Sequence, residues 1–466
     1  MKRIFLAVVV LVATFLAAYA VWVQFPRLHQ PESVASTLQQ ASERFDQLSR
    51  MAADPAKNGF ETAIFLPYWG RRSTEYKENS PIESVVKDWA QYSGLSSGQP
   101  IDHKALRASQ NAKYLKALND FEKVSPELLA AWGKPVFLPP GTTMSFDTEL
   151  WNFQATRTCA QALVALAEAK AAQGQSDQAA NILARVMEFG GNLQGQGALL
   201  IDVVGMSTQR SGIDGFLPLM QPAVTHRGTP LPAGRWKDLA GRLTKAVPPA
   251  DTVYRAMQGE TAVAVNTIDQ IRQGKSANSL AAGPTAMPGL LDREERIYLN
   301  LMMDMLGKLK DTGKLVTPAA LDRPTAGDHL AGRSGLLAEQ LLPNFSRASY
   351  EIEMNRRRIL ALALCAGVAA YRADNGKLPD TLDDVRKFGI PMPAVDDLEG
   401  LKPSYSQKVF KGAGVGSGQS ATLIVDLPAE PGPSPGDAKP QETGNDWFLT
   451  EKDKIVVTLF APQRKL

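Results

Sequence analysis

Two hydrophobic patterns divide the chain. Lys2 and Arg3 precede an apolar run from Ile4 to Val23 that is interrupted only by Thr14. As a helix rising 1.5 Å per residue this run spans about 30 Å, the thickness of a bilayer core. Ala18-Tyr19-Ala20 satisfies the small-x-small rule of a signal-cleavage site. Yet Val21-Trp22-Val23 carries the run past that site, beyond the roughly 7–15 residues of a secretory h-region, and Trp22 falls where an interfacial aromatic anchors a spanning helix. The pattern favours an uncleaved anchor over a cleaved signal. In both cases the basic N-terminus stays inside and the remainder leaves the cytoplasm.

From Pro31 onward the dominant period is helical. The spacing predicts helices over Pro31–Ala53, Ala105–Lys123, Pro126–Trp132, Ala198–Met206, Gly212–Met220, Asp251–Gly274, Asp292–Lys310, Ser349–Ala373 and Thr381–Lys387. Between Asp147 and Gly190 it predicts a hairpin: Leu163, Leu166, Ala167 and Ala171 on one helix, a break at Gln173-Gly174-Gln175-Ser176, then Ala180, Ile182, Leu183 and Val186 on the next. Pro222, Pro230 and Pro232 mark a loop, and Ser276–Gly289 a flexible one. The apolar patch Ala63–Trp69 fits a short strand or a loop tucked into the core. Ile359–Tyr371 is unbroken small and apolar; at 13 residues it is too short to span a bilayer and reads as a buried core helix. Thr422–Asp426 and Ile455–Phe460 are β-branched runs with Trp447–Leu449 between them, and 428–444, dense in Pro, Gly and Glu, reads as a disordered loop.

These elements define a mainly α fold with one N-terminal transmembrane helix and a small C-terminal α/β module, a long helix plus a short antiparallel sheet. Three units follow: an anchor at 1–25, a helical extracytoplasmic domain at 26–345 and the α/β module at 346–466. Composition supports folded domains, with 44% hydrophobic and 21% charged residues. A net charge of +3 excludes a global pull toward nucleic acid, and Arg356-Arg357-Arg358 is too small for such a footprint. Cys159 and Cys365 are the only cysteines. An oxidising compartment permits a disulfide between them, and two buried thiols fit their apolar runs equally well. Count and spacing exclude a CxxC or cysteine-metal site.

Candidate chemistry is sparse. His29, His103, His226 and His329 stand singly, without metal-ligand spacing. Gly412–Gly418 lacks the Lys-Ser/Thr of a phosphate loop, and its Ser417 stands one place away from the position a nucleophile elbow requires, so it reads as a β-connection. Glu260, which follows Gly259 in an otherwise apolar helix, is the carboxylate best placed for burial and a raised pKa. Glu294, Glu295 and Asp304 on another helix are possible second carboxylates for glycoside hydrolysis. The plainer reading makes Glu260 a cap on a neighbouring turn. No catalytic, cofactor-binding or metal residue is assigned, and no cofactor is expected.

Three resemblances add context. Leu166-Ala167, Gly174, Ala179 and Leu183 fall at the spacing of one tetratricopeptide unit, without a second copy at about 34 residues. Ala370-Tyr371-Arg372, Asn375-Gly376, Pro379 and Leu382 resemble the segment that ends the long helix of type II secretion major pseudopilins, and Pro393, Asp396, Gly400 and Tyr405 continue in that family's order. Ala394-Val395-Asp396-Asp397 lacks the family's Asp-Pro pair, and no prepilin-peptidase site opens the chain. Ala179–Gly205, Tyr254–Asp269 and Glu294–Leu306 are similar to stretches of uncharacterised bacterial envelope proteins that end in such a module. The resemblance implies an inner-membrane protein held by residues 4–23, with its bulk periplasmic, protein partners in the envelope and no nucleic acid. The expected role is an interaction or scaffold protein near secretion or pilus-type machinery; the alternative is a carboxylate-based cell-wall glycan hydrolase.

Overall fold

The computed structural model describes residues 12–19, 24, 27–60, 85, 88, 89, 92, 103–138, 153–220, 231–274, 289–312, 345–393, 403–412, 415–426, 448–451 and 454–459. Of the apolar run 4–23 only 12–19 is described, as helix; the patch at 63–69 and the loop at 428–444 lie outside the described residues. Among the described residues no helix is long and apolar enough to cross a membrane.

The fold is mainly helical. Its helices are α1 (Pro31–Ala52), α2 (His103–Ala108), α3 (Ala112–Trp132), α4 (Phe153–Ala172), α5 (Ser176–Leu193), α6 (Leu199–Met220), α7 (Ala233–Ala246), α8 (Thr252–Arg272), α9 (Leu290–Thr312), α10 (Phe345–Asn375) and α11 (Leu382–Lys387). The hairpin α4–α5 turns at Gly174, whose φ of 81° suits a residue without a Cβ. Thr381 caps α11 with Asp384 in a reciprocal capping box.

Two cores form. The larger gathers α3 to α7, α10 and α11, with Ile359 to Ala366 of α10 buried along their whole length. α10 packs most extensively on α7 and also against α6, β2 and β4. The unit expected from residue 346 onward is therefore continuous in its packing with the helices before it. The smaller core belongs to α1, α8 and α9, joined by Leu199 and Met206 of α6 and by Phe345 and Ile352 of α10.

Four strands, β1 (Ser404–Gly412), β2 (Val415–Asp426), β3 (Phe448–Glu451) and β4 (Lys454–Leu459), form an antiparallel sheet in the order β1-β2-β4-β3. Tyr405 stands opposite Leu423, Leu423 opposite Val457, and Val457 opposite Phe448. Leu423 is buried and joins the larger core. Of the glycine run, Gly412 of β1 pairs with Val415 of β2, and Gly418 of β2 stands opposite Phe410.

Three local expectations change. Pro126 lies inside α3 and does not begin a new helix. A proline there deprives the Glu122 carbonyl of its helical donor, and the Ser125 hydroxyl donates to that carbonyl at 2.8 Å in its place. Gly212 does not interrupt α6: a Cβ there would meet Met187 Sδ at 2.7 Å, so this glycine serves packing. α7 falls where the proline-marked loop suggested no helix. Trp236, Leu239, Ala240 and Leu243 are buried on one face of it at i, i+3, i+4, i+7 spacing, and Pro232 precedes its first turn.

Leu364 of α10 is fully buried. Leu364→Ala is expected to cost about 2–5 kcal/mol in urea unfolding; a loss below about 1 kcal/mol would be incompatible with this helix filling the core.

Candidate functional site

Of the residues that sequence reasoning singles out, Gly259 and Glu260 lie where α8 approaches the start of α6. Mid-helix glycine costs roughly 1 kcal/mol relative to alanine, and α8 carries Gly259 because a Cβ there would fall inside the Gly197 carbonyl. The loop between α5 and α6 presents that carbonyl through two glycines of positive φ, Gly195 at 97° and Gly197 at 91°. Helix and loop thus touch backbone to backbone, which delivers the next side chain, Glu260, to the first turn of α6.

The first amides of an α-helix lack intrahelical acceptors. Glu260 Oε1 accepts from the Leu199 amide at 2.7 Å, and the Leu200 amide also donates to this carboxylate. Glu260 is a long-range N-cap, placed 61 residues along the chain from the helix it caps. It is 7% exposed. Burial pushes its pKa up to about 7, against the pull of the two amides. Its backbone carbonyl accepts from the Tyr298 hydroxyl of α9 at 3.2 Å. Burial and then the Glu260 charge hold that phenol well above its ordinary range.

Asp202 completes the cluster and is fully buried. Its Oδ1 accepts from the Gly195 amide at 2.9 Å, closing the loop over the first turn of α6. Its Oδ2 has no hydrogen-bond partner among the described residues. Burial raises its pKa well above the usual carboxylate range, the Glu260 charge adds to this, and Arg44 of α1 opposes it. Arg44 is held in place by donating to the Arg255 carbonyl at 2.9 Å and to Gln258 Oε1 at 3.1 Å, while Gln258 donates to Gln40 of α1 at 2.6 Å.

A polar knot lies behind this junction. Gln209 Oε1 accepts from Gln194 and, at 2.8 Å, from Asn355 of α10, while Gln209 Nε2 donates to the carbonyls of Ala246 at 2.7 Å and Met187 at 3.2 Å. One side chain thereby ties together α5, α6, α7 and α10.

The other candidates lie elsewhere. Glu294 is buried beside Arg293, with Nη1 to Oε1 at 3.5 Å. Glu295 is bridged to Arg272, and Asp304 is exposed. It is Asp202 that the fold brings near Glu260. The sequence signal for it was a lone carboxylate inside the apolar run 199–205. Cys159 and Cys365 are free buried thiols with pKa values raised by burial. His226 and His329 lie outside the described residues. Among the described residues no three His, Cys, Asp or Glu side chains are grouped as a metal site needs.

Chemically the pair is titratable and enclosed. A general acid must reach a substrate atom within hydrogen-bond distance, whereas the Glu260 carboxylate already accepts two backbone amides. No protein family, curated protein or solved structure gives a significant match to the chain.

The folded-state pKa of Glu260, about 7 against an ordinary 4.5, favours the protonated form in the fold. Its stabilising effect is complete below pH 4.5 and is lost as pH rises through 7. Asp202 shifts in the same direction. Wild type should therefore lose about 3 kcal/mol over this window relative to Glu260→Gln, which keeps an acceptor oxygen without the charge. Parallel pH–stability curves for the two proteins would exclude this assignment. Glu260→Ala, which removes the cap, should cost about 1 kcal/mol at pH 4.5, where the carboxyl is protonated in the fold.

Proposed function

We propose that the chain is a membrane-anchored protein of the bacterial envelope that acts by contact, as an interaction or scaffold protein near secretion or pilus-type machinery. Residues 4–23 hold it in the inner membrane and the bulk lies in the periplasm. One contrast carries this reading. Val12, Phe15 and Leu16 stand largely exposed on the helical stretch 12–19, with Phe15 at 68%, while the body encloses its most acid-base-suited carboxylate. A run of large apolar side chains left uncovered by its own chain suits a lipid environment.

The long helix α10, the short helix α11 and the antiparallel sheet after them suit the pseudopilin-like module that the residues from Ala370 to Tyr405 resemble. The α4–α5 hairpin likewise suits the single tetratricopeptide-like unit. Both motifs favour contact with other proteins over turnover of a small molecule.

The glycan hydrolase reading draws on one observation, the pKa of Glu260 near 7, which suits a general acid. Its enclosure argues against it.

The protein should remain with membranes after carbonate washing and keep its original N-terminus; a mature chain beginning at Val21 would replace the anchor by a cleaved signal. In a deletion strain, Glu260→Gln should complement fully, and a variant carrying Leu166→Ala and Leu183→Ala, which opens the α4–α5 hairpin, should not. Loss of complementation by abundant, folded Glu260→Gln would reverse the order of the two readings.

A further inference from the structure

We propose that the anchor and the helical body form one rigid unit, with the body seated on the lipid surface at the face around Arg27, His29 and Asn300. This rests on the anchored reading above and adds a docking surface to it. Asn300 of α9 is largely buried and uses both ends of its amide on the chain just after the anchor. Its Oδ1 accepts from the His29 amide at 3.0 Å, and its Nδ2 donates to the Arg27 carbonyl at 3.0 Å. The side chain takes the place a neighbouring strand would hold, bonding alternate backbone groups. Between these two residues Leu28 packs against the smaller core. Farther along α1, the Thr37 hydroxyl lies 3.7 Å from Met303 Sδ on the next turn of α9.

This clamp limits how far the body can stand from the membrane. Gln24 is helical, and Arg27 follows three positions later, a span of about 10 Å at full extension. Asn300 is thus confined to the immediate neighbourhood of the anchor's end, and α9 cannot swing on a long tether. Arg27 and His29 point outward at this position. A guanidinium there suits the phosphates of lipid headgroups. Lipid is the occupant that the uncovered Val12, Phe15 and Leu16 require a few turns earlier in the chain.

The test uses full-length protein in vesicles of phosphatidylethanolamine and phosphatidylglycerol with headgroup-nitroxide lipid as a short-range quencher. A fluorophore is placed through Gln24→Cys or, in a separate protein, Asp304→Cys, both exposed positions; the native thiols are buried and stay unlabelled. Quenching is expected at both sites. Asn300→Ala should reduce it several-fold at Asp304→Cys and leave Gln24→Cys unchanged. Asn300→Asp, which keeps an acceptor for His29 and loses the donor to Arg27, should fall between and guards against a folding defect in the alanine variant. Quenching at Gln24→Cys alone would overturn the seated body and leave the anchor standing. Absence of quenching at both sites would remove the anchor and the inference together. Asp304→Cys quenching that is unchanged by both Asn300 variants, or that arises only from contact between two copies of the chain, would also overturn the proposal.

Discussion

Where Gly259 of α8 presses on the carbonyl of Gly197, a helix of the smaller core is set backbone to backbone against the loop that leads into α6. The contact fixes the loop from Gln194 to Ala198, the loop fixes where α6 begins, and α6 carries side chains into both cores. Everything else at the junction follows from backbone meeting backbone. Glu260 reaches the first amides of α6 because its neighbour has no side chain, and Asp202 turns back on Gly195 because the loop is held down from the other side. The magnitudes show what this arrangement is for. An N-cap contributes about 1 kcal/mol, whereas a carboxylate with its pKa displaced from 4.5 to about 7 gives up roughly 3 kcal/mol once the surrounding pH is higher. At neutral pH the cap is a net cost in stability. Its return is positional: one placement of α8 against α6 satisfies those amides, and neighbouring placements leave them buried and unpaired.

The long periodic helices were legible because their burial follows a local rule. The Ile359–Tyr371 run of α10, too short for a bilayer and too apolar for a surface, could be assigned to a core from length alone. Boundaries depended on less local facts. Pro126 sits within a helix because a serine one residue earlier satisfies the freed carbonyl, and Gly212 does so because Met187 leaves no room for a Cβ. α7 had the right apolar spacing and good helix formers, but Gly234 and Gly241 interrupt them and the prolines before it dominated the reading. Glu260 stood out as an acid in an apolar helix, and its role as a cap on another element was among the readings weighed. Its neighbour could not be chosen from the sequence. Glu294, Glu295 and Asp304 were closer along the chain than Asp202, and only the fold of the 194–198 loop decides which carboxylate comes near.

The interior of the larger core raises a second problem of register. Ala160, Ala162, Ala165 and Ala169 of α4, Ala179, Ala180 and Ala184 of α5, and Ala361, Ala363, Ala366, Ala369 and Ala370 of α10 are all buried. Small side chains let helices approach closely, and for the same reason they interlock weakly, because a methyl group gives little resistance to a slide of one turn. Directional bonds supply what such surfaces lack. Gln209 of α6 bonds three other helices through one amide, and Arg356 of α10 donates to the Pro248 carbonyl at 3.1 Å just after α7. A slide of α10 by one turn, about 5 Å, would break both at once and strand their polar groups in a dry interior, where each costs about 1–3 kcal/mol. Asn300 applies the same logic at the edge of the fold, with its amide fixing a strand-like segment to a helix. In the proposed envelope role that distinction matters. A protein that works by contact must hold its surfaces in one arrangement, and here a few buried amides and one carboxylate carry that constraint for helices whose apolar faces alone would leave it loose.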